Sequence, residues 1–240
     1  MARDDLLMEL HLEALYTHDA AGDLVRVREH DGALAPRFFL GRTIGGVARR
    51  YRYDVDDALR RELAAASADK LRSETTADPA AAAAAELARY AAILERSGPV
   101  QATEAGPAFA FPENPHVSAG PSDSIVLVTE SNADVLQPLL PAWTPDVHLS
   151  APLMALVVEE RAVAVCGSVR ITPRAHEAGV DTAAAFRGRG YAPRVVAAWA
   201  RAVRARGAEP LYSTSWRNAA SRAVARKLAL VHFGNDLHVT

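Results

Sequence analysis

The sequence predicts a mixed α/β (α+β) protein in two parts. An N-terminal α/β domain spans residues 1–118, and a second domain spans 119–240, with a mostly antiparallel sheet flanked by helices. Three features carry that expectation. The C-terminal half holds short apolar, β-branched runs, SIVLVTE, APLMALVVEE and AVAVCGSVRIT, each bounded by turn residues. They lead into a strand, turn, helix, strand succession that begins near residue 178. Between Ser97 and Ser124 the chain collects Gly98-Pro99, Gly106-Pro107, Pro112, Pro115 and Gly120-Pro121, an irregular stretch that reads as the boundary.

Taken in order, LHLEALYTHDAAGDLVRVREHDG shows two strand-like runs around a turn at Asp19 to Gly22, with a further turn at Asp31-Gly32, so a β-hairpin opens the chain. PRFFLGRT and RRYRYD continue as strands. VDDALRRELAAASADKL has acids at its start and helix formers behind them, which predicts a helix capped near Asp54 or Asp56. The alanine-rich run from Asp78 to Gly98 carries Asp-Pro at its entry and Gly at its exit. With Leu87, Tyr90, Ala91 and Leu94 at helical spacing it is an ordered helix, not low-complexity sequence. After the boundary, a short helix is expected from Asn132 through ADVLQPLLPAW, between the first two of the three apolar strands. A strand at 178–184 precedes an amphipathic helix from Tyr191 to Arg206, with Val195, Val196, Trp199 and Val203 on one stripe. PLYSTSW, a helix from Asn218 to Leu228 and LVHFGNDLHVT, a strand, complete the chain.

Composition narrows the function. Half of the 240 residues are hydrophobic, enough for a sizeable core. The opening MARDDLLMELHLEA has acids where a secretory signal needs a basic region, and no run approaches the ~18 apolar residues of a membrane span. The expectation is a cytoplasmic protein with no membrane partner. One cysteine, Cys166, excludes an internal disulfide and a multi-cysteine zinc site, and reads as a small buried hydrophobe. No metal is expected. The net charge of −2 conceals a basic segment: residues 187–227 hold ten Arg and Lys against Glu209 alone. A local positive field in an otherwise acidic chain points to one anionic ligand, not to a nucleic acid. Arg201, Arg204 and Arg206 read as a solvated helix face.

The stretch EAGVDTAAAFRGRGYA, residues 177–192, sets that ligand. A dinucleotide fingerprint would need a third glycine where Pro193 stands, and no P-loop pattern occurs. What remains is R-x-x-G-x-A, formed by Arg187, Gly190 and Ala192 between a strand and a helix. A helix N-terminus exposes unpaired amides and partial positive charge, and glycines let a diphosphate approach the backbone.

On these residues the sequence resembles the GNAT acetyltransferase superfamily over about 120–240. Downstream, Asn218 and Ser221 fall where the family's N-x-x-A-x-x-x-Y motif has contacts to the pantetheine and phosphate region. The resemblance implies that acetyl-CoA is bound by Arg187, Gly188, Arg189, Gly190, Tyr191 and Ala192, with Thr214, Asn218 and Ser221. It also implies that a backbone amide of the segment Val180, Asp181, Thr182 polarises the thioester carbonyl, and that the acetyl group passes directly to the amine of a small molecule or polypeptide. Three positions depart from the pattern. Ala225 stands where many members carry the tyrosine that protonates the leaving thiolate, and Ala229-Leu230 replaces Gly-Phe.

The general base is Glu177 acting through a water, or else His176; a substrate amine of low pKa would need neither. Alternation along a strand places Glu177, Gly179 and Asp181 on one face and His176, Ala178, Val180 and Thr182 on the other, unless a bulge in this strand re-aims one of them. Tyr191 and Tyr212 are candidate acids, and Ser168, Arg170 and His148 candidates to line the acceptor site. The loss of the tyrosine at 225 leaves an alternative: an acyl-CoA-binding module without catalysis.

Overall fold

The computed structural model describes residues 2–29, 32–68, 78–113, 115 and 124–240. The chain divides into two units, one of residues 1–109, 213–222 and 232–240, the other of 110–212 and 223–231. The boundary expected at 118/119, Asp31 of the expected Asp31-Gly32 turn and the end of the helix expected to reach Leu71 lie outside the described residues.

The first unit begins with a helix, α1 (Arg3–Leu15), whose second half, from Leu10, the sequence reading took for strand. Leu10 and Leu12 alternate with His11 and Glu13, which mimics a period of two over a short window. The longer set Leu7, Met8, His11, Leu12 and Leu15 has the helical period, and all five are buried. The expected hairpin follows, β1 (Tyr16–His18) antiparallel to β2 (Leu24–Val27). Asp19 holds the turn by accepting from the amides of Ala21 and Asp23, both at 2.9 Å.

β3 (Phe38–Arg42) pairs antiparallel with β4 (Val47–Tyr51) and with β11 (Val231–Val239). α2 (Asp57–Ala66) starts at Asp56, whose carboxylate caps the Leu59 amide at 2.9 Å. α3 (Pro79–Leu94) starts at Asp78, which accepts from Ala80 and Ala81. Its stripe of Leu87, Tyr90, Ile93 and Leu94 packs on Leu59, Leu63, Phe38 and Leu237, so the alanine-rich run forms part of a core.

A second correction concerns the irregular stretch. It contains a strand, β5 (Thr103–Ala110), so the order in this unit is β4-β3-β11-β5. Gly106 and Pro107 read as breakers, yet both suit their places. Pro107 contributes only its carbonyl, which accepts from the Thr214 amide at 3.3 Å, and a Cβ on Gly106 would lie 1.7 Å from the Thr214 carbonyl oxygen.

In the second unit β6 (Ser124–Val128), β7 (Leu153–Val158), β8 (Arg161–Ile171) and β9 (Ala175–Thr182) form an antiparallel meander. β10 (Glu209–Ser213) lies parallel to β9, reached through α4 (Tyr191–Arg204), and the order is β10-β9-β8-β7-β6. The helix expected at Asn132 is instead two 3-10 segments, Glu130–Leu136 and Pro141–Trp143. Thr129 is the cap, Asn132 returns its side-chain oxygen to the Thr129 amide at 2.7 Å, and Pro138 and Pro141 interrupt the α-helical ladder.

The sheet of this unit is covered on both faces. Leu153, Ala155 and Val165 pack under Leu136, Leu140 and Val147. Behind them Trp199 of α4 donates to Ser168 of β8 at 3.0 Å. Arg204 is no solvated residue: its guanidinium holds the carbonyls of Phe111, Pro112 and Glu113 at 2.7–2.9 Å.

α5 (Ala219–Lys227) ends in a turn closed by the Leu230 amide on the Ala225 carbonyl, with Ala229 in the left-handed region at φ 51°. The backbone therefore keeps the shape that glycine favours although the residue is alanine. Ala229→Gly is expected to raise stability by about 0.5–1 kcal/mol, read as a higher urea midpoint with an unchanged slope.

Candidate cofactor and acyl-transfer site

The pairing of β9 with β10 is short. It runs Ala175↔Glu209, His176↔Pro210, Glu177↔Leu211 and stops, while β9 continues to Thr182 bonded to β8 alone. From Ala178 onward no described strand pairs with the other edge of β9.

At the end of that edge the chain turns through a 3-10 segment, Ala184–Phe186, into the Arg-Gly knot. Gly188 and Gly190 have φ of 78° and 80°, and a Cβ on either would meet nothing within 4 Å. Gly190 is the N-cap of α4, and no side chain bonds the first-turn amides. Those of Gly190, Tyr191 and Ala192 have no partner four residues back within the helix, while Pro193 lacks an amide hydrogen. A helix of 14 residues thus presents its positive end through a bare glycine turn.

The two arginines of the knot are braced. Arg187 donates from Nε to the Thr182 carbonyl at 3.1 Å and lies 4.0 Å from Asp181. Arg189 donates to the Ala185 carbonyl at 3.2 Å, with its guanidinium over the Phe186 ring. Tyr191 is half-buried, its ring 6.4 Å from that of Phe186. Asp181 accepts from the Thr182 amide at 2.7 Å, and the Ala183 amide bonds the Val163 carbonyl of β8, a register that turns the Asp181 amide to β8 as well and leaves Val180 facing the unpaired edge.

Glu177 and His176 keep the opposite faces that alternation requires. The described register of β9 with β8 slips on β8, at Val169 between Ser168 and Arg170, and not on β9, so β9 itself is not re-aimed. His176 faces α4: its Nδ1 lies 2.8 Å from the Ser168 hydroxyl, which also accepts from Trp199. Burial, and then the charge of Arg206, hold the His176 pKa below its usual value. Glu177 shares the other face with Gly179 and Asp181, is 1% exposed, and stands opposite Arg170 in the ladder.

Ser168 is therefore bound to His176 and Trp199 beneath α4, away from the Glu177 face. His148 is exposed and lies 3.9 Å from Glu130. Tyr212 is buried, and Cys166 is fully buried, its thiol pKa pushed up by that burial. Thr214, Asn218 and Ser221 belong to the first unit, where the Asn218 side-chain oxygen caps α5 by accepting from the Ser221 amide at 2.9 Å. Ala225 is buried at 2% exposure. Among the described residues no group of three or more His, Cys, Asp or Glu could hold a metal ion, and no helix is long and apolar enough to cross a membrane.

One residue on the Glu177 face escaped the sequence reading. Trp143 lies across Gly167 and Gly179, directly opposed glycines of β8 and β9. Glycine inside a strand pattern is the signal that could have marked a close approach there.

Residues 154–234 match the model of the GNAT acetyltransferase family. No curated protein matches the chain. Similar solved structures include a protein assigned to that family from Novosphingobium aromaticivorans, at 20% identity over 58% of this chain and 65% of that one, TM-score 0.47. A GCN5-related N-acetyltransferase-like protein from Streptococcus suis is 17% identical over 62% of this chain and 66% of that one, TM-score 0.42. A GNAT-family acetyltransferase from Colwellia psychrerythraea is 11% identical over 92% of this chain and 82% of that one, TM-score 0.47. The match thus spans just under two thirds of the length of the first two.

Proposed function

We propose that the protein, whose residues 154–234 match the GNAT acetyltransferase family model, moves an acetyl group from acetyl-CoA directly to an amine. The observation that carries this reading is the free edge of β9, open from Ala178 to Thr182 and running straight into a bare glycine turn at the uncapped end of α4. The turn fits a diphosphate: Gly188 and Gly190 leave it room, and the amides of the first helical turn, with Arg187 and Arg189, answer its charge.

Acetyl-CoA, when bound, supplies an acyl thioester. The Val180 amide is the group that would polarise its carbonyl, and a fixed donor aimed at a developing oxyanion contributes about 3 kcal/mol. Glu177, on the face of β9 away from α4, takes the proton of the attacking amine through a bridging water. Holding amine and thioester together is the larger contribution. With Ala225 in place of a phenol, the sulfur leaves as thiolate, which a thiol of pKa about 8.5 allows without an acid.

The test is thiol release from acetyl-CoA in the presence of primary amines. Release that depends on the amine supports the reading. Binding of acetyl-CoA without release from any amine supports the alternative that buried Ala225 favours, a catalytically silent acyl-CoA-binding module.

A further inference from the structure

We propose that Trp143 and Val169 form the wall that sets the length of the acyl group, so that the site holds an acetyl thioester and rejects longer straight chains such as butyryl. The inference rests on the acetyl-CoA reading above and gives that same site its acyl selectivity.

The wall stands beside the group that answers the thioester carbonyl. The Val180 amide faces the unpaired edge of β9, and a carbonyl oxygen that it polarises sits about 3 Å from its nitrogen. Gly179 is the residue bonded to that nitrogen. A side chain there would point to the face of β9 away from α4, which Asp181 shares. That space is taken. A Cβ on Gly179 would run into Val169 Cγ1 and lie 3.2 Å from Trp143 Cη2. One on Gly167, the partner of Gly179 on β8, would lie 2.8 Å from Trp143 Cζ3. The two glycines thus let an indole and a valine lie on the backbone next to the Val180 amide.

The turn assigned to the diphosphate lies past the Thr182 end of β9, which leaves a longer acyl chain three directions over the strand. Along β9, away from the turn, it meets the junction with β10, which closes at Glu177↔Leu211. On one face it meets α4, which packs on β8 and β9 with Val195, Val196 and Trp199 fully buried. Burial marks the third way. Ala175 to Glu177 are buried where β10 pairs, whereas Ala178 to Thr182 beyond it are half-buried. Trp143 and Val169, both half-buried, stand on that third side. Neither is loose. The indole packs against the cluster of Leu136, Val147 and Leu153, and Val169 is fixed as the bulged residue of β8. Pushing added methylenes into such a packed wall forces side chains off their rotamers.

Calorimetric titration of the wild type, Val169→Ala and Trp143→Ala with acetyl-CoA and butyryl-CoA tests this. On an unwalled apolar surface two more buried methylenes strengthen binding by about tenfold, so the sign of the difference is itself informative. The wild type is expected to bind butyryl-CoA at least about tenfold more weakly than acetyl-CoA. Each variant is expected to bring butyryl-CoA to within about threefold of acetyl-CoA, while its affinity for acetyl-CoA stays within about threefold of the wild type's. Val169→Ala leaves the indole in place, so it decides the matter if Trp143→Ala, which takes a ring from a core cluster, fails to fold. Butyryl-CoA bound by the wild type as tightly as acetyl-CoA, or a ratio unchanged in the variants that fold, overturns the wall and leaves the acetyl-CoA reading standing. A wild type that binds neither thioester overturns both.

Discussion

Glu177→Gln is expected to lower kcat by about 10²- to 10³-fold while acetyl-CoA affinity stays within about threefold, because the change removes a proton acceptor and keeps the shape of the side chain. The side chain lies on the face of β9 away from α4, in register with Arg170, and it is almost wholly enclosed. His176→Asn is the necessary companion. His176 is bound to Ser168 beneath Trp199, on the other face, so its replacement is expected to change kcat by no more than about threefold while lowering thermal stability. Steady-state kinetics on the two variants, with acetyl-CoA binding measured separately, decides between the candidate bases. A large kcat loss in His176→Asn with none in Glu177→Gln would reverse the assignment.

The second large effect is at the turn. Gly190→Val is expected to weaken acetyl-CoA binding by about 100-fold or more, through two additive causes. Gly190 has φ 80°, where an L-residue is strained by roughly 1–2 kcal/mol and a β-branched one by more. The new side chain also fills space that is now open beside the amides of the first turn of α4. Gly22→Ala is the control: φ is 86° there too, and space is equally open, but the residue sits in the β1–β2 turn of the other unit. It is expected to lower stability and leave acetyl-CoA affinity unchanged. Calorimetric titration of both variants reads the difference, and equal affinity in Gly190→Val and the wild type would remove the turn from the site.

How far the chain could be read follows from the range of the interactions involved. The Arg-Gly turn, the caps at Asp56 and Asp78 and the stripe of α4 are set by residues within a few positions of one another, and the structure keeps them as the sequence implies. β5 was hidden because Gly106 and Pro107 break strands unless a neighbour needs the room or lacks the bond, and that neighbour, Thr214, is more than a hundred residues away. α1 was misread because Leu10 and Leu12 alternate with His11 and Glu13 over too short a window. At the site, alternation along β9 separated Glu177 from His176 correctly, but nothing local showed that the bulge belongs to β8. Likewise Trp143 meets Gly167 and Gly179 only through the fold, and the three carbonyls held by Arg204 make a clamp of a residue whose helical position reads as solvated. Asn218 matched a ligand-contact pattern, and its side-chain oxygen serves first as the cap of α5.

The most direct test of the central claim is calorimetric titration of the wild type and of Arg187→Glu with acetyl-CoA, with NAD as a control ligand. Arg187 is braced on the Thr182 carbonyl and 69% exposed, so charge reversal alters the turn's field without opening a core. The account predicts micromolar binding of acetyl-CoA by the wild type, loss of at least about tenfold in the variant, and no binding of NAD. A wild-type protein that does not bind acetyl-CoA, or a variant that binds it as tightly, would contradict the assignment of this turn to a coenzyme A diphosphate.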